Sequence, residues 1–338
     1  MLTYVTYIAL GDIMDLNGFK GFLTERGLPE EAITEHLAIT VAFSDWLAKQ
    51  SPALTIETAT ADAARAFIDG LIADGHNTPV NITAICRAGH FFGNNALFVS
   101  VLELLDGAEA MGNMYELMAE ELGAELRDRV FADTEVPPLG GSNLDKARAN
   151  REVVKRLVAE AGAPACSKFL SQCMRDLPEA MFEADKELFG ECADIDEFLT
   201  KKRAENVQML ENLRDNGQLF FSQEVTDAVV EHVRSNPEIM VGAREGSSLF
   251  VTKIPYMTKQ YLEATDEREK RYHYCHCPWA RELIMTDEKQ VPSEFCNCSG
   301  GFSKKRWEHI FGQELEVELL ESVLRGDMRC RFEIKLPE

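Results

Sequence analysis

The sequence predicts an α+β protein. Its N-terminal and middle parts are mostly α-helical, and its C-terminal part is an α/β domain with an antiparallel sheet and a cysteine-rich metal site. Apolar residues recur at helical spacing up to about residue 235, which is typical of amphipathic helices. From Pro237 several segments alternate apolar and polar residues, as half-buried strands do. Two Cys-x-Cys pairs, Cys275/Cys277 and Cys296/Cys298, lie in the same region with 18 residues between them.

The chain has the composition of an ordinary globular protein. It contains 338 residues, of which 45% are hydrophobic and 27% charged, enough for two or three domains. Pro137-Pro138 and Gly140-Gly141 indicate a linker at about 131–143. We therefore predict a helical bundle over 1–135, a helical middle segment over 136–220 and a cysteine-rich α/β metal- and ligand-binding domain over 221–338.

The N-terminal helices are predicted from apolar spacing and from their capping residues. Thr60 or Thr58 suits the start of one helix, and Thr78-Pro79 suits the N-cap and first position of the next. The predicted helices cover 31–49, about 60–74, 78–92, 96–106 and 110–129.

Part of this pattern resembles the helical core-binding domain of tyrosine recombinases. The residues that carry the resemblance are the Thr34–Trp46 helix, the Phe67–Leu71 helix and the Thr78–Phe92 helix, within about 30–110. The resemblance implies a helical fold alone, because the later chain lacks the catalytic Arg…His-x-x-Arg…Tyr set of that family. Residues 1–140 hold 7 basic and 21 acidic residues, and the whole chain carries a formal charge of −22. A nucleic-acid clamp is basic, so we do not expect nucleic acid as a partner.

The middle and C-terminal elements are predicted in the same way. Helices are expected at about 143–160, 164–174, 178–191, 195–215, 222–235, 256–264 and 303–311. Strands are expected at 238–242, 247–252 and 271–277, and the clearest hairpin joins 315–324 to 328–336. In its last strand Cys330, Phe332 and Ile334 share the face predicted to be buried.

The cysteines predict a metal site. A Cys-x-Cys pair on a strand directs both thiols to one face, and two such pairs supply the four thiolates of a tetrahedral zinc site or an iron–sulfur cluster. The predicted ligands are drawn from Cys275, Cys277, Cys296, Cys298 and Cys330, with zinc preferred over an iron–sulfur cluster. Buried free cysteines and a redox dithiol are the alternatives. The other cysteines, at 86, 166, 173 and 192, are interpreted as core or half-buried thiols.

The C-terminal stretch, about 220–338, resembles the 4-vinyl-reductase-type hydrocarbon-binding domain. The motifs are Cys298-Ser-Gly-Gly-Phe302, the acidic strand Leu315–Glu318 and Gly326-Asp327 before Cys330. The resemblance implies an α/β fold with a small-molecule pocket and a zinc bound by cysteines and a glutamate. It assigns Cys298 and Cys330 to the metal and leaves Glu318 or Glu321 as the carboxylate. Ser322 stands where that family has a further cysteine.

The function predicted from these features is binding or sensing of a small apolar molecule by a domain that a thiolate-bound zinc stabilises, with the helical parts transmitting occupancy. The alternative is a metal-dependent or redox enzyme that uses an open metal position or an iron–sulfur cluster. The sequence contains no GxGxxG, Walker, GxSxG or HExxH motif, so whether the protein is an enzyme stays open. A homodimer also stays open.

The sequence gives no membrane signal. It has no run of 18 apolar residues, and Met1–Val5 lacks the basic region that precedes a secretory signal. Nine cysteines, an odd number, fit a reducing compartment. We therefore expect a cytoplasmic protein that does not bind membranes.

Overall fold

A computed structural model describes residues 14–337; Met1–Val5, considered above for a secretory signal, lies outside them. The chain forms two compact units. One contains the residues up to Ala108 together with Pro137–Ser142, and the other contains Glu109–Val136 and the chain from Asn143 onward. This division by packing differs from the three consecutive segments expected from the sequence, because the chain leaves the first unit at 109 and returns to it briefly at 137–142.

The first unit is helical, and two of its helices begin at the capping residues that the sequence predicts. The Thr60 hydroxyl accepts a hydrogen bond from the Ala63 N–H (3.2 Å), and the Thr78 hydroxyl accepts one from the Asn81 N–H (3.2 Å). Both are N-caps. The first helix was not predicted. The helices are α1 (Leu16–Glu25), α2 (Glu30–Leu47), α3 (Ala61–Ala73), α4 (Pro79–Phe91) and α5 (Asn95–Leu105).

The predicted linker is partly docked on these helices. Arg65 donates to the Gly140 carbonyl (2.9 Å) and Asn77 donates to the Leu139 carbonyl (2.9 Å). Gly140 has φ +80° and approaches the side chains of Ile68 and Ile82 so closely that a Cβ there would lie 2.9 and 2.8 Å from them. The segment therefore belongs to the first unit, although the sequence predicts a free connection.

The helices at the start of the second unit, from Ala110 to Leu170, contribute apolar side chains to one core. The predicted helix over 110–129 is interrupted at Gly123, which has φ +93°, and it becomes two helices. The helices are α6 (Ala110–Glu121), α7 (Ala124–Phe131), α8 (Asn143–Ala161), α9 (Ala163–Leu170), α10 (Glu183–Gly190), α11 (Ile195–Asp215), α12 (Asp227–Ser235), α13 (Thr258–Glu263), α14 (Glu267–Tyr274) and α15 (Asn297–Phe311).

The sheets lie in the C-terminal region and are antiparallel. A two-stranded ribbon joins β1 (Leu219–Phe220) and β2 (Gln223–Glu224). The four-stranded sheet has the order β3 (Ala243–Glu245), β4 (Ser248–Thr252), β6 (Arg331–Lys335) and β5 (Val317–Glu321). The predicted hairpin of β5 and β6 is thus confirmed, with a bulge between Leu319 and Glu321. Phe332 and Ile334 are fully buried, as the alternation predicts.

Three elements differ from the prediction. Residues 271–277 are not a strand: α14 covers Glu267–Tyr274, because Asp266 caps the N–H groups of Arg268 and Glu269 at 2.9 Å each. The strand predicted at 238–242 is shifted, because β3 covers Ala243–Glu245. Gly300 and Gly301 lie inside α15 and not in a turn before it.

The two glycines let α15 approach its neighbours closely. A Cβ at Gly300 would lie 3.0 Å from the Phe332 ring, and a Cβ at Gly301 would lie 2.5 Å from the Ser171 carbonyl oxygen. The start of α15 is therefore pressed between the sheet and the loop that follows α9. Among residues 14–337, no helix is both long and apolar enough to cross a membrane.

Candidate metal centre

The five predicted cysteine ligands come from three places in the second unit. Cys275 is the C-cap of α14, and Cys277 follows it in an irregular segment. Cys296 is the N-cap of α15, and Cys298 lies in that helix's first turn. Cys330 immediately precedes β6. We call these five residues the thiol cluster.

The thiol cluster lies where two apolar cores meet. Cys275 and Cys330 are buried with Tyr274, Val323 and Phe332, and Cys277 and Cys296 pack against the same group. Cys277 and Cys298 also pack against a second core, which is built from helical side chains and the region around Trp279. These distant cysteines therefore lie in or against two adjoining cores, and the strand expected around Cys275 is a helix end.

Two sulfurs of the thiol cluster accept hydrogen bonds at short distances. The Met174 N–H donates to Cys298 Sγ at 3.2 Å, and the Ser322 hydroxyl donates to Cys296 Sγ at 3.0 Å. Backbone groups of Cys277, Trp279 and Val323 lower the pKa of Cys275, Cys277 and Cys330, respectively, against the larger effect of burial. Such donors orient and stabilise metal-bound thiolates.

Burial dominates the ionisation of these thiols. It raises the pKa of Cys275, and it raises the pKa of Cys277 and of Cys330 to about 12. It raises the pKa of Cys296 well above the usual range, and the charges of Cys330, Cys275 and Cys277 add to that effect. These mutual effects mean that the thiols lie close enough to oppose one another's ionisation, so a cation between them would favour the thiolate form.

Basic side chains surround the thiol cluster. The positive charge of Lys253 lowers the pKa of Cys275, Cys277 and Cys330 against the larger effect of burial. Arg281 is buried and lies 4.6 Å from the ring centroid of Tyr256. Because four thiolates outweigh the charge of one divalent ion by two, nearby cations stabilise such a site.

Three other polar residues considered as metal ligands or neighbours of the thiol cluster are either exposed or bonded to other groups. Glu318 is exposed, and Glu321 forms a two-bond ion pair with Arg329 at 2.7 and 2.9 Å. His276 bonds the Ile254 carbonyl through Nε2 at 2.6 Å. Its pKa lies well below the ordinary value because the ring is buried.

The sequence did not predict that one further cysteine, Cys173, interacts with the thiol cluster. Cys173, interpreted from the sequence as a core thiol, accepts a hydrogen bond from the Cys298 thiol, and this bond lowers the pKa of Cys173 to about 7. The same bond raises the pKa of Cys298 well above its usual range. Cys173 has φ +72°, a left-handed conformation that costs a side-chain-bearing residue about 1–2 kcal/mol. No spacing motif links Cys173 to the later cysteines, so the sequence held no signal for it.

The thiol cluster is not a ready-made metal site in the part of the chain that the structure describes. Across residues 14–337, no three His, Cys, Asp or Glu side chains are already grouped as ligands around a common point. The donor types nevertheless suit a soft or borderline metal ion, because they are five thiols, two of which accept hydrogen bonds, with the positive charge of Lys253 nearby. Zinc bound by thiolates has Zn–S distances of about 2.3 Å, so binding requires the side chains to turn inward.

Comparison with known proteins finds a family match over part of the chain. A family of unknown function (DUF6144) matches residues 261–338. The matched stretch contains the whole thiol cluster and excludes Cys173. No curated protein matches the chain, and no solved structure matches it.

A surface groove lies elsewhere in the second unit, between α11 and α12. Its lining includes Arg203, Glu211 and Arg234 together with Val207 and Ala204. Charged walls of this kind do not suit an apolar ligand, and none of the thiol cluster lines the groove.

Proposed function

We propose that the protein binds a zinc ion through thiolates of the thiol cluster, with four of Cys275, Cys277, Cys296, Cys298 and Cys330 as ligands. The carrying observation is that five cysteines, distant in sequence, lie in or against two adjoining cores, and that the sulfurs of Cys296 and Cys298 accept hydrogen bonds at 3.0 and 3.2 Å. Buried cysteines that serve only as small apolar residues do not need such donors. The residues therefore fit a thiolate-bound ion.

The role of the ion in this proposal is to join the C-terminal elements. It would link the end of α14, the start of α15 and the entry to β6. A closed site of four thiolates is typical of structural zinc, and binding free energy at such a site is folding free energy. Lys253 and Arg281 balance the excess negative charge of the thiolates.

Binding of a small apolar molecule by the same region remains a proposal supported by the resemblance of residues 220–338 to hydrocarbon-binding domains. A metal-dependent or redox enzyme is the other possibility raised by the sequence. Iron and sulfide in the cluster would favour that enzyme over the structural role, because iron–sulfur clusters also use four cysteine thiolates.

The test is metal analysis and an absorption spectrum of the full-length chain purified without oxygen. We expect a colourless protein with bound zinc, and a Cys275→Ser/Cys296→Ser variant that has lost it. Cys192→Ser is the matched control, because the Cys192 thiol is half-buried and bonds the Leu188 carbonyl. The control should retain the zinc.

Two results would reject the zinc proposal. The first is a protein that contains no zinc and takes up neither zinc nor cobalt after reduction. The second is a brown protein with iron and labile sulfide, which transfers the same cysteines to an iron–sulfur cluster.

A further inference from the structure

A buried histidine joins two helices of the first unit. His36 of α2 is 2% exposed, and both nitrogens of its ring have a partner. Nδ1 lies 2.7 Å from the carbonyl oxygen of Ala32, one turn earlier in the same helix. Nε2 lies 2.7 Å from Nη1 of Arg87, which belongs to α4. The imidazole ring therefore bridges α2 and α4.

These two contacts define the protonation state of the ring. A guanidinium group can only donate hydrogen bonds, so Nε2 of His36 accepts the bond from Arg87 and carries no proton. A carbonyl oxygen can only accept, so Nδ1 donates its N–H to Ala32. The contacts thus require a neutral imidazole. A proton added at Nε2 would remove the only acceptor that the ring offers to Arg87 and would place two positive charges side by side.

The environment of His36 opposes that second charge. Burial lowers the pKa of His36 below its ordinary value of 6.5, and the charge of Arg87 lowers it further. The Ala32 carbonyl and the charge of Glu35, an exposed neighbour on α2, raise the pKa without overcoming these effects. The direction agrees with the protonation state that the hydrogen bonds require.

The other helices that pack against α2 supply no carboxylate to balance the pair. Arg26, which follows α1, acts on Arg87 as a further positive charge. On α3, Arg65 and Asp69 form an ion pair with each other at 2.7 Å. Within residues 14–337, Arg87 forms no ion pair with a carboxylate, so neutral His36 is the side chain that accepts from it.

We infer that the His36–Arg87 contact is a pH-sensitive link, which holds α2 against α4 while His36 is neutral and breaks when acidification protonates the ring. The link belongs to the first unit and is independent of the proposed metal site. Because folding weakens the binding of a proton to His36, its contribution to stability is complete above a pH of about 6.5 and is lost as the pH falls below that value.

The first test is nuclear magnetic resonance of the full-length wild-type chain, labelled with ¹⁵N at its seven histidines. We expect the ring of His36 to carry its proton on Nδ1 at neutral pH. We also expect the pKa of His36, followed through the same ring signals, to lie below the ordinary value. This measurement needs no variant.

The second test is hydrogen exchange of the full-length chain, measured by mass spectrometry at about pH 7.5 and about pH 5.5 and corrected for the intrinsic exchange rates. Protection of the amides in α2 and α4 should fall about ten-fold on acidification through the uptake of one proton by His36. In His36→Gln this fall should be absent, because the glutamine amide offers a donor and an acceptor and does not titrate. His76→Gln is the control, because His76 is exposed; it should behave like wild type.

Either of two results would overturn the inference. One is a His36 ring that carries its proton on Nε2 at neutral pH, or whose pKa is at or above the ordinary value. The other is an equal loss of protection in α2 and α4 in wild type and in His36→Gln. The resonance measurement decides the question even if the glutamine variant does not fold.

Discussion

At the scale of single residues, the thiol cluster is defined by what reaches its sulfurs. Ser322 illustrates this best. It is fully buried and donates to Cys296 Sγ (3.0 Å), while its oxygen accepts the Leu324 N–H (3.1 Å). The sequence resemblance puts Ser322 where a related domain has a cysteine, and the fold puts its hydroxyl in contact with a thiol of the cluster.

Ser322→Ala should destabilise the metal-free chain by about 1–2 kcal/mol, because a buried N–H loses its acceptor and a sulfur loses its donor. Urea unfolding of the reduced protein, followed by circular dichroism, measures the change. Ser303→Ala is the control, since the Ser303 hydroxyl bonds only the Ser299 carbonyl of its own helix (2.9 Å); we expect a change below about 0.5 kcal/mol. Equal effects of the two substitutions would contradict this role of Ser322.

At the scale of elements, the start of α15 decides how the centre is assembled. The sequence predicts a helix that begins at about residue 303, whereas the helix begins at Asn297 and contains Gly300 and Gly301. Their lack of a side chain serves close packing instead of a turn. Gly300 meets Phe332 of β6, and Gly301 meets the backbone of Ser171 and Cys173.

Gly301→Ala should destabilise the protein by about 2 kcal/mol or more, because its Cβ would overlap a carbonyl oxygen and an amide nitrogen that cannot rotate away. Gly112→Ala, in α6, has open space around it and should stabilise the protein by about 0.5 kcal/mol through the higher helix propensity of alanine. Thermal and urea unfolding of both variants measure whether each substitution lowers or raises the free energy of unfolding. A neutral Gly301→Ala would mean that α15 and the loop do not touch as described.

At the scale of the whole molecule, the second unit has a core that no short C-terminal fragment reproduces. Val153, Leu157 and Leu170 from α8 and α9 pack in the same core as Trp279 and Phe295. Polar contacts add to this: Asn150 donates to the Trp279 carbonyl at 2.9 Å, and Arg148 pairs with Glu288 at 2.5 Å. The family match at 261–338 therefore covers only part of a folded unit.

A fragment of residues 261–338 should be unfolded, since it exposes the apolar side chains that α8 and α9 cover. A fragment of residues 109–338, which includes the second unit, should fold and show the helical circular dichroism and dispersed amide NMR spectrum of a packed domain. Finding a dispersed spectrum for 261–338 alone would show that the shorter segment carries its own core.

Local signals in the sequence predicted much of the helical framework and the last hairpin. Thr60 and Thr78 reveal helix starts because a cap acts within three residues, and the alternation that buries Phe332 and Ile334 identifies a strand because its period is local. The predicted strand at 271–277 is wrong for the same reason. The alternation of residues there indicated a strand, whereas the Asp266 cap favours a helix. Over so few residues the period of a strand and the period of a helix are hard to distinguish.

The sequence by itself determined the α+β class, the capped helices and which cysteines to consider, since these depend on neighbours along the chain. Only the tertiary structure decided that Cys173 and Ser322 reach the thiol cluster, that 137–142 belongs to the first unit and that Glu318 stays exposed. Such contacts join residues far apart in sequence, and they form because burial of apolar surface brings whole elements together, for which the sequence has no local pattern.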